Sequence, residues 1–313
     1  MVARAVALTE RGGPERLATR SAGRDNARMS SEPNREQIDY WNAQAGHKWV
    51  GLQERLDAQL DPLGRLAMDR LAPRPGERVV DVGCGCGGTT VELAARVGPE
   101  GRVLGLDVSE PMLARARERT AAAPQVTFAC GDAQTHALEP GGFDVVFSRF
   151  GVMFFADPVA AFANLRRGLR PGGRLGFLCW QAATANEWVM VPMRAVLAHV
   201  PMPPIPAPRT PGPFAFAEAD WLREVLDAAG FADVTVEPDE RVLEIAGGGD
   251  LDAVVDFLLQ IGPAARALHE ADDPAAKPRV AASLRDALRP HAGSRGVGLR
   301  GATWIVSAKA SAT

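Results

Sequence analysis

The chain has 313 residues, 46% hydrophobic and 23% charged, with a net charge of −3 and an isoelectric point near 6.0. That balance suits a globular protein with room for a sizeable core, and its slight acidity argues against a surface for nucleic acid or anionic membrane. No apolar run reaches the ~18 residues of a membrane span, Arg4, Arg11, Arg16, Arg20, Arg24 and Arg28 break up any signal-peptide core, and the four sparse cysteines fit a reducing, cytoplasmic setting.

Residues 1–32 mix Arg, Gly, Ser and acids without period and read as a disordered arm. From Pro33 apolar residues recur at helical intervals (Ile38, Trp41, Trp49, Leu52, Leu56, Leu60, Leu63), so residues 33–72 are expected to be a helical lid ending at the breaker Pro73-Arg74-Pro75-Gly76. Beyond it strands are expected at Arg78–Val82, Arg102–Asp107, Val126–Cys130, Phe143–Ser148 and Arg174–Trp180. Helices alternate with them at Thr89–Val97, Glu110–Ala122, with Ser109 as N-cap, and Pro158–Leu169, and a further helix is expected at Glu218–Ala229. Such alternation predicts an α/β fold, a mostly parallel sheet with helices on both faces. After Trp180 the rhythm breaks. A helix over Ala185–Val200 leads into a proline-rich connector, Pro201 to Pro213, and a strand over Phe231–Pro238 follows. A helix over Leu251–Leu259, a charged, surface-lying helical segment Ala264–Pro290 and a last strand Thr303–Lys309 complete the chain. Residues 182–217 and 247–300 are expected to be substrate-side inserts in a domain of residues 73–313.

The chemistry concentrates at Val79-Val80-Asp81-Val82-Gly83-Cys84-Gly85-Cys86-Gly87-Gly88. A strand ending in such a turn and entering a helix makes a ligand crevice at the carboxyl edge of a parallel sheet. Gly83-x-Gly85-x-x-Gly88 alone matches a dinucleotide fingerprint, which leaves a nicotinamide oxidoreductase open. Asp81 points away from it, because a carboxylate there repels a pyrophosphate and attracts a cation. Asp107, ending the next strand, suits a vicinal diol, and Asp132, in the turn Gly131-Asp132-Ala133, can accept from an adenine amino group. Cys84-x-Cys86 has no second pair to complete a zinc site, so no metal is expected.

The runs VVDVGCGCGGTT, VLGLDVSEPML, GDA, FDVVFSRFGVMFF and LRPGGRLGFLCW resemble class I S-adenosylmethionine-dependent methyltransferases, in particular the ubiquinone/menaquinone-biosynthesis C-methyltransferase group. The resemblance implies a Rossmann-like seven-stranded sheet with an antiparallel last strand, and S-adenosylmethionine as cofactor. It places Asp81, Gly83, Cys84, Gly85 and Gly87 around the methionine part and Asp107 on the ribose. Val108, Met112, Gly131, Asp132 and Ala133 then border the adenine, with Ser148 and Phe150 beside the sulfonium. It also implies that the segment carrying Tyr40, Trp41 and Trp49 covers the cofactor.

The expected reaction is methylation of a small apolar or aromatic acceptor at carbon or oxygen. A cyclase or decarboxylase using the same site is the alternative. His47 is the candidate general base. Arg149 either binds a substrate anion, the preferred reading, or ion-pairs within the lid. Nucleic acid is not expected as a partner, because Ser148-Arg149-Phe150-Gly151 stands where a base-flipping enzyme carries its Asn/Asp-Pro-Pro-aromatic segment. A homodimer is compatible with the sequence.

Overall fold

The computed structural model describes residues 34–311; the expected arm, residues 1–32, lies outside them. The sheet is built from β1 (Arg78–Val82), β2 (Arg102–Asp107), β3 (Val126–Cys130), β4 (Phe143–Arg149), β5 (Leu169–Trp180), β6 (Phe231–Glu244), the two-residue β7 (Ala292–Gly293) and β8 (Gly296–Ala310). Strand order is β3-β2-β1-β4-β5-β8-β6, with β7 paired off the end of β8. Pairings from β3 across to β5 are parallel, and β8 runs antiparallel to both of its long neighbours. The order reverses at β1, so the crevice beyond its carboxyl end lies between chain connections that leave in opposite directions, the place where open α/β sheets bind ligands.

Two strands are longer than their residue types suggest. β6 continues through Asp239-Glu240-Arg241 and β8 begins in Gly296-Val297-Gly298, because each completes the other's backbone ladder from Phe231↔Ala310 to Glu244↔Gly298. A strand partner overrides weak local propensity there.

Helices α1 (Arg35–Asn42), α2 (Gln44–Gly51) and α3 (Gln53–Leu71) precede the sheet. They do different work. α3 lays Leu56, Leu60, Leu63, Ala67, Met68 and Leu71 into the core, and Leu71 fills the space that a side chain on Gly176 of β5 would need. Burying one such leucine or methionine contributes about 1.5–3 kcal/mol, enough to make α3 part of the sheet's packing. α1 and α2 bury only Gly46. The alternating helices are α4 (Gly88–Val97), α5 (Glu110–Arg119) and α6 (Pro158–Gly168).

The two inserts fold together. α7 (Glu187–Leu197) comes from the first, and α8 (Ala219–Ala228) follows the proline connector. α9 (Leu251–Leu258), α10 (Pro263–Glu270) and α11 (Ala276–Leu288) come from the second, and α7 packs on both α10 and α11. The expectation that residues 264–290 lie on the surface is overturned: Ala267, Ala276, Val280, Leu284 and Leu288 are buried. Ala276, Val280, Leu284 and Leu288 recur every four residues along α11 as a buried stripe, which the surrounding Ala, Arg and Asp disguise in the sequence.

Candidate active site

At the end of β1, Asp81 is fully buried, and the hydroxyls of Thr89 and Thr90 each donate to its Oδ2 at 2.7 Å. Its Oδ1 is buried without a hydrogen-bond partner. Burial pushes the carboxyl up to about 6, against the pull of the two hydroxyls and of the Arg149 charge. The turn after it has Gly83, Gly85 and Gly87 in the left-handed region. Gly83 has a second reason to be glycine, since a Cβ there would lie 2.6 Å from the Cα of Gly151. Met112 closes over the turn, its Cε 2.8 Å from where a Cβ on Gly85 would be. Cys84 and Cys86 are both buried thiols, pushed up by desolvation, Cys86 to about 12. Among the described residues no three His, Cys, Asp or Glu side chains gather as metal ligands.

Asp107 ends β2 in the next position round the crevice. Its Oδ2 accepts from Gly85 N and its Oδ1 from Ser109 N, both at 2.8 Å, so one carboxylate braces the glycine turn and the start of α5. Burial raises its pKa, and these backbone donors oppose the rise. At the end of β3, Gly131 N donates to Asp107 O, and Asp132 folds back to accept from Gln134 N at 3.0 Å. The Ala133 carbonyl is held by Asn164 Nδ2.

The segment from α1 to α2 is latched to the same edge. Asn42 Nδ2 donates to Val108 O at 2.7 Å, and its Oδ1 accepts from Glu110 N at 3.0 Å. Asn42 therefore caps α5 from another helix. Ser109 holds the N-cap position as expected, but its hydroxyl donates to Trp41 O at 2.8 Å and makes no cap hydrogen bond. Gly46 has no room for a side chain between Trp41 O and Ser109 Oγ. Trp41 meets Tyr40, Trp49 and Phe154 edge-on, with centroids 5.3, 5.7 and 5.3 Å away; Tyr40 itself is 52% exposed. Asn42→Ala removes both bonds to the β2–α5 connection at a cost of about 1 kcal/mol. Amide exchange across α1 and α2 is then expected to quicken about fivefold, and unchanged exchange would show that the latch carries no weight.

At the end of β4, Ser148 Oγ donates to Val82 O at 2.7 Å and accepts from Gly151 N. Phe150 takes a left-handed φ of 65° and stacks on Trp180 at 4.3 Å, and Trp180 in turn meets Trp188 at 4.7 Å. Arg149 is not free for a substrate anion. Its guanidinium donates to Asp61 at 2.6 Å and to Asp57 at 3.1 Å, both on α3, so an ion pair forms with the helix that packs on the sheet. His47 lies exposed on α2, and among the described residues no acid or hydroxyl is hydrogen-bonded to orient it as a base.

A family model for a methyltransferase domain matches residues 79–173. Nocamycin O-methyltransferase of Saccharothrix syringae is 33% identical over 243 residues, which are 74% of this chain and 84% of that protein. The chain belongs to this methyltransferase family. Demethylmenaquinone methyltransferase of Staphylococcus aureus is 35% identical over 136 residues, 44% of this chain, and an uncharacterised protein of transposon TN4556 from Streptomyces fradiae is 42% identical over 135, 42% of this chain. The matched stretches are 56% and 39% of those two proteins. The YcgJ protein of Bacillus subtilis shares the fold, with a TM-score of 0.52 at 15% identity over 79% of this chain and 97% of that one.

Three residues around this candidate site escape a sequence reading. Asn42 sits between Trp41 and Trp49 but needs its distant partner to look special. Asp57 looks like one acid among several on an amphipathic helix. Asn186, fully buried, joins the insert to the sheet: its Nδ2 donates to Gln181 O and Ala182 O, and its Oδ1 accepts from Trp188 Nε1 and Ala302 N. It thereby aims the indole that backs Trp180 and Phe150.

Proposed function

We propose that this chain uses S-adenosylmethionine to methylate a small apolar or aromatic acceptor at carbon or oxygen. The observation that carries the reading is the buried, unpartnered Oδ1 of Asp81 beneath a turn of left-handed glycines that contains no lysine or arginine. An orphaned carboxylate oxygen fits an ammonium group, and a turn free of Cβ atoms lets a ligand approach the backbone. Asp81, Gly83, Cys84, Gly85 and Gly87 would hold the methionine part and Asp107 the ribose. Val108, Met112, Gly131, Asp132 and Ala133 would border the adenine, with Ser148 and Phe150 near the sulfur. When bound, S-adenosylmethionine supplies a methyl group on a sulfonium for in-line displacement.

The protein's own contribution is alignment and exclusion of water. Thr89 and Thr90 keep Asp81 fixed, and α1 and α2, the proposed lid, set Trp41 and Trp49 over the edge. The acceptor side is aromatic: Phe150, Trp180, Trp188 and Phe214 form a continuous run of ring contacts. That favours an apolar, planar acceptor. It also agrees with the names of the relatives, one an O-methyltransferase and one acting on demethylmenaquinone. Three of the four free cysteines are buried, in keeping with a reduced, cytoplasmic setting.

Calorimetry with S-adenosylhomocysteine and with NAD, followed by transfer of labelled methyl from the cofactor to a panel of phenols, quinols and enols, tests the reading. Tight NAD binding would sink it. S-adenosylhomocysteine binding with no transfer to any acceptor would turn it toward a non-methylating use of the site.

A further inference from the structure

The glycine turn is braced from outside by a charge cluster on α3. Asp57 Oδ2 accepts from Arg119 Nη1 at 2.9 Å and from Gln53 Nε2 at 2.5 Å, and its Oδ1 accepts from Arg149 Nη2 at 3.1 Å. Arg119 Nη1 also donates to the carbonyl of Cys86, at 2.8 Å, inside the turn itself. Arg149 leaves the end of β4 and reaches Asp61 as well. Asp57 further packs against the first turn of α4, its Oδ1 2.8 Å from where a Cβ on Gly88 would be. A carboxylate is favoured there by the helix dipole. One side chain on α3 thus meets the start of α4 and the end of β4 directly and the turn through Arg119. The side chains of Asp57 and Arg149 are almost buried, at 12% and 11% exposed, so these charge-assisted bonds act with little screening by water.

We propose that Asp57 is a positioning residue for cofactor binding: by holding Arg119 on the Cys86 carbonyl and Arg149 against α3, it makes the shape of the glycine turn depend on the docking of α3. The proposal rests on the reading that this turn holds the cofactor. The fan of guanidinium donors suits the linkage, since Arg119 can serve a carboxylate and a carbonyl together. Asp69, on the same helix, offers the contrast. It pairs with Arg96 at 2.7 Å with its own side chain 64% exposed, and Arg96 makes no hydrogen bond to the turn.

The test is calorimetric binding of S-adenosylhomocysteine to the full chain, its D57N, R119Q, R119K and D69N variants, and the D57N/R119Q double variant, with melting curves alongside. D57N and R119Q are each expected to weaken binding roughly tenfold, and the double variant no further than the weaker single one, because both act through the same carbonyl. R119K, which keeps a cationic donor, should recover most of the loss, and D69N should bind like the parent. Arg119 is partly exposed, so R119Q and R119K decide the matter even where D57N does not fold. Affinities of D57N and R119Q within about twofold of the parent, fully multiplying effects, or R119K no better than R119Q would overturn the proposal alone. A parent chain that does not bind S-adenosylhomocysteine would overturn the functional reading and the proposal with it.

Discussion

Asp81→Asn is expected to remove most of the affinity for S-adenosylhomocysteine while melting no lower than the parent at pH 7. Removing one member of a buried charge pair costs about 2–5 kcal/mol, or about 30-fold to several thousand-fold in affinity. Stability should move the other way. Burial raises the Asp81 pKa from 3.8 to about 6, so the folded protein binds this proton more tightly than the unfolded chain does. The resulting stabilisation is complete below about pH 4 and is lost as pH rises through 6, which leaves the ionised carboxylate as a burden of about 3 kcal/mol at neutral pH. The amide carries no such burden, and its oxygen can still accept from Thr89 and Thr90. The same titration predicts a pH profile. Ligand affinity in the parent should fall below about pH 6, towards a limit of about tenfold per pH unit, as Asp81 gains its proton. In D81N that limb should vanish. A variant that binds like the parent, or keeps the acid limb, would show that another group meets the ligand's cation.

Gly151→Ala is the second change with a large expected effect. Gly151 has an ordinary helical φ of −73°, so alanine meets no backbone penalty there. The added Cβ would lie 2.6 Å from Val82 O and 2.7 Å from Gly83 Cα, and neither is a side chain that can swing away. Overpacking of this kind costs about 1–3 kcal/mol, beyond the roughly 0.4–1 kcal/mol that alanine returns by stiffening the unfolded chain. The seam between the β4 connection and the glycine turn must open, and S-adenosylhomocysteine binding should weaken by tenfold or more, on the order of 1.4 kcal/mol. Gly172→Ala is the matched control. Its φ is 72° and nothing lies within 4 Å of the new Cβ, so it should cost about 1 kcal/mol of stability and leave binding untouched. Equal binding losses in the two variants would mean that the seam has no special part in holding the ligand.

The first prediction starts from a residue that the sequence already singles out; Gly151 gains its weight only from the fold. Strand-turn-helix geometry at residues 79–97 is written in local features, β-branched residues, then alternate glycines, then a helix start, and those need no distant partner to act. The three strand-end acids are legible for the same reason, because each sits at or just past the end of its own strand. Arg149 is different. Its position after β4 was readable, but its partners Asp57 and Asp61 lie some 90 residues earlier in the chain, and nothing local ranks an ion pair above a free cation.

The glycine turn, the alternation of strands and helices and the acids at the strand ends follow from the sequence alone, since each depends on interactions between near neighbours along the chain. The tertiary structure decided what surrounds them. It buried the 264–290 stripe against α7, drew β6 and β8 out to their full length by mutual pairing, capped α5 with Asn42 and engaged Arg149 on α3. Each of these depends on a side chain or backbone ladder supplied from far along the chain, and that partner becomes present only when the fold closes.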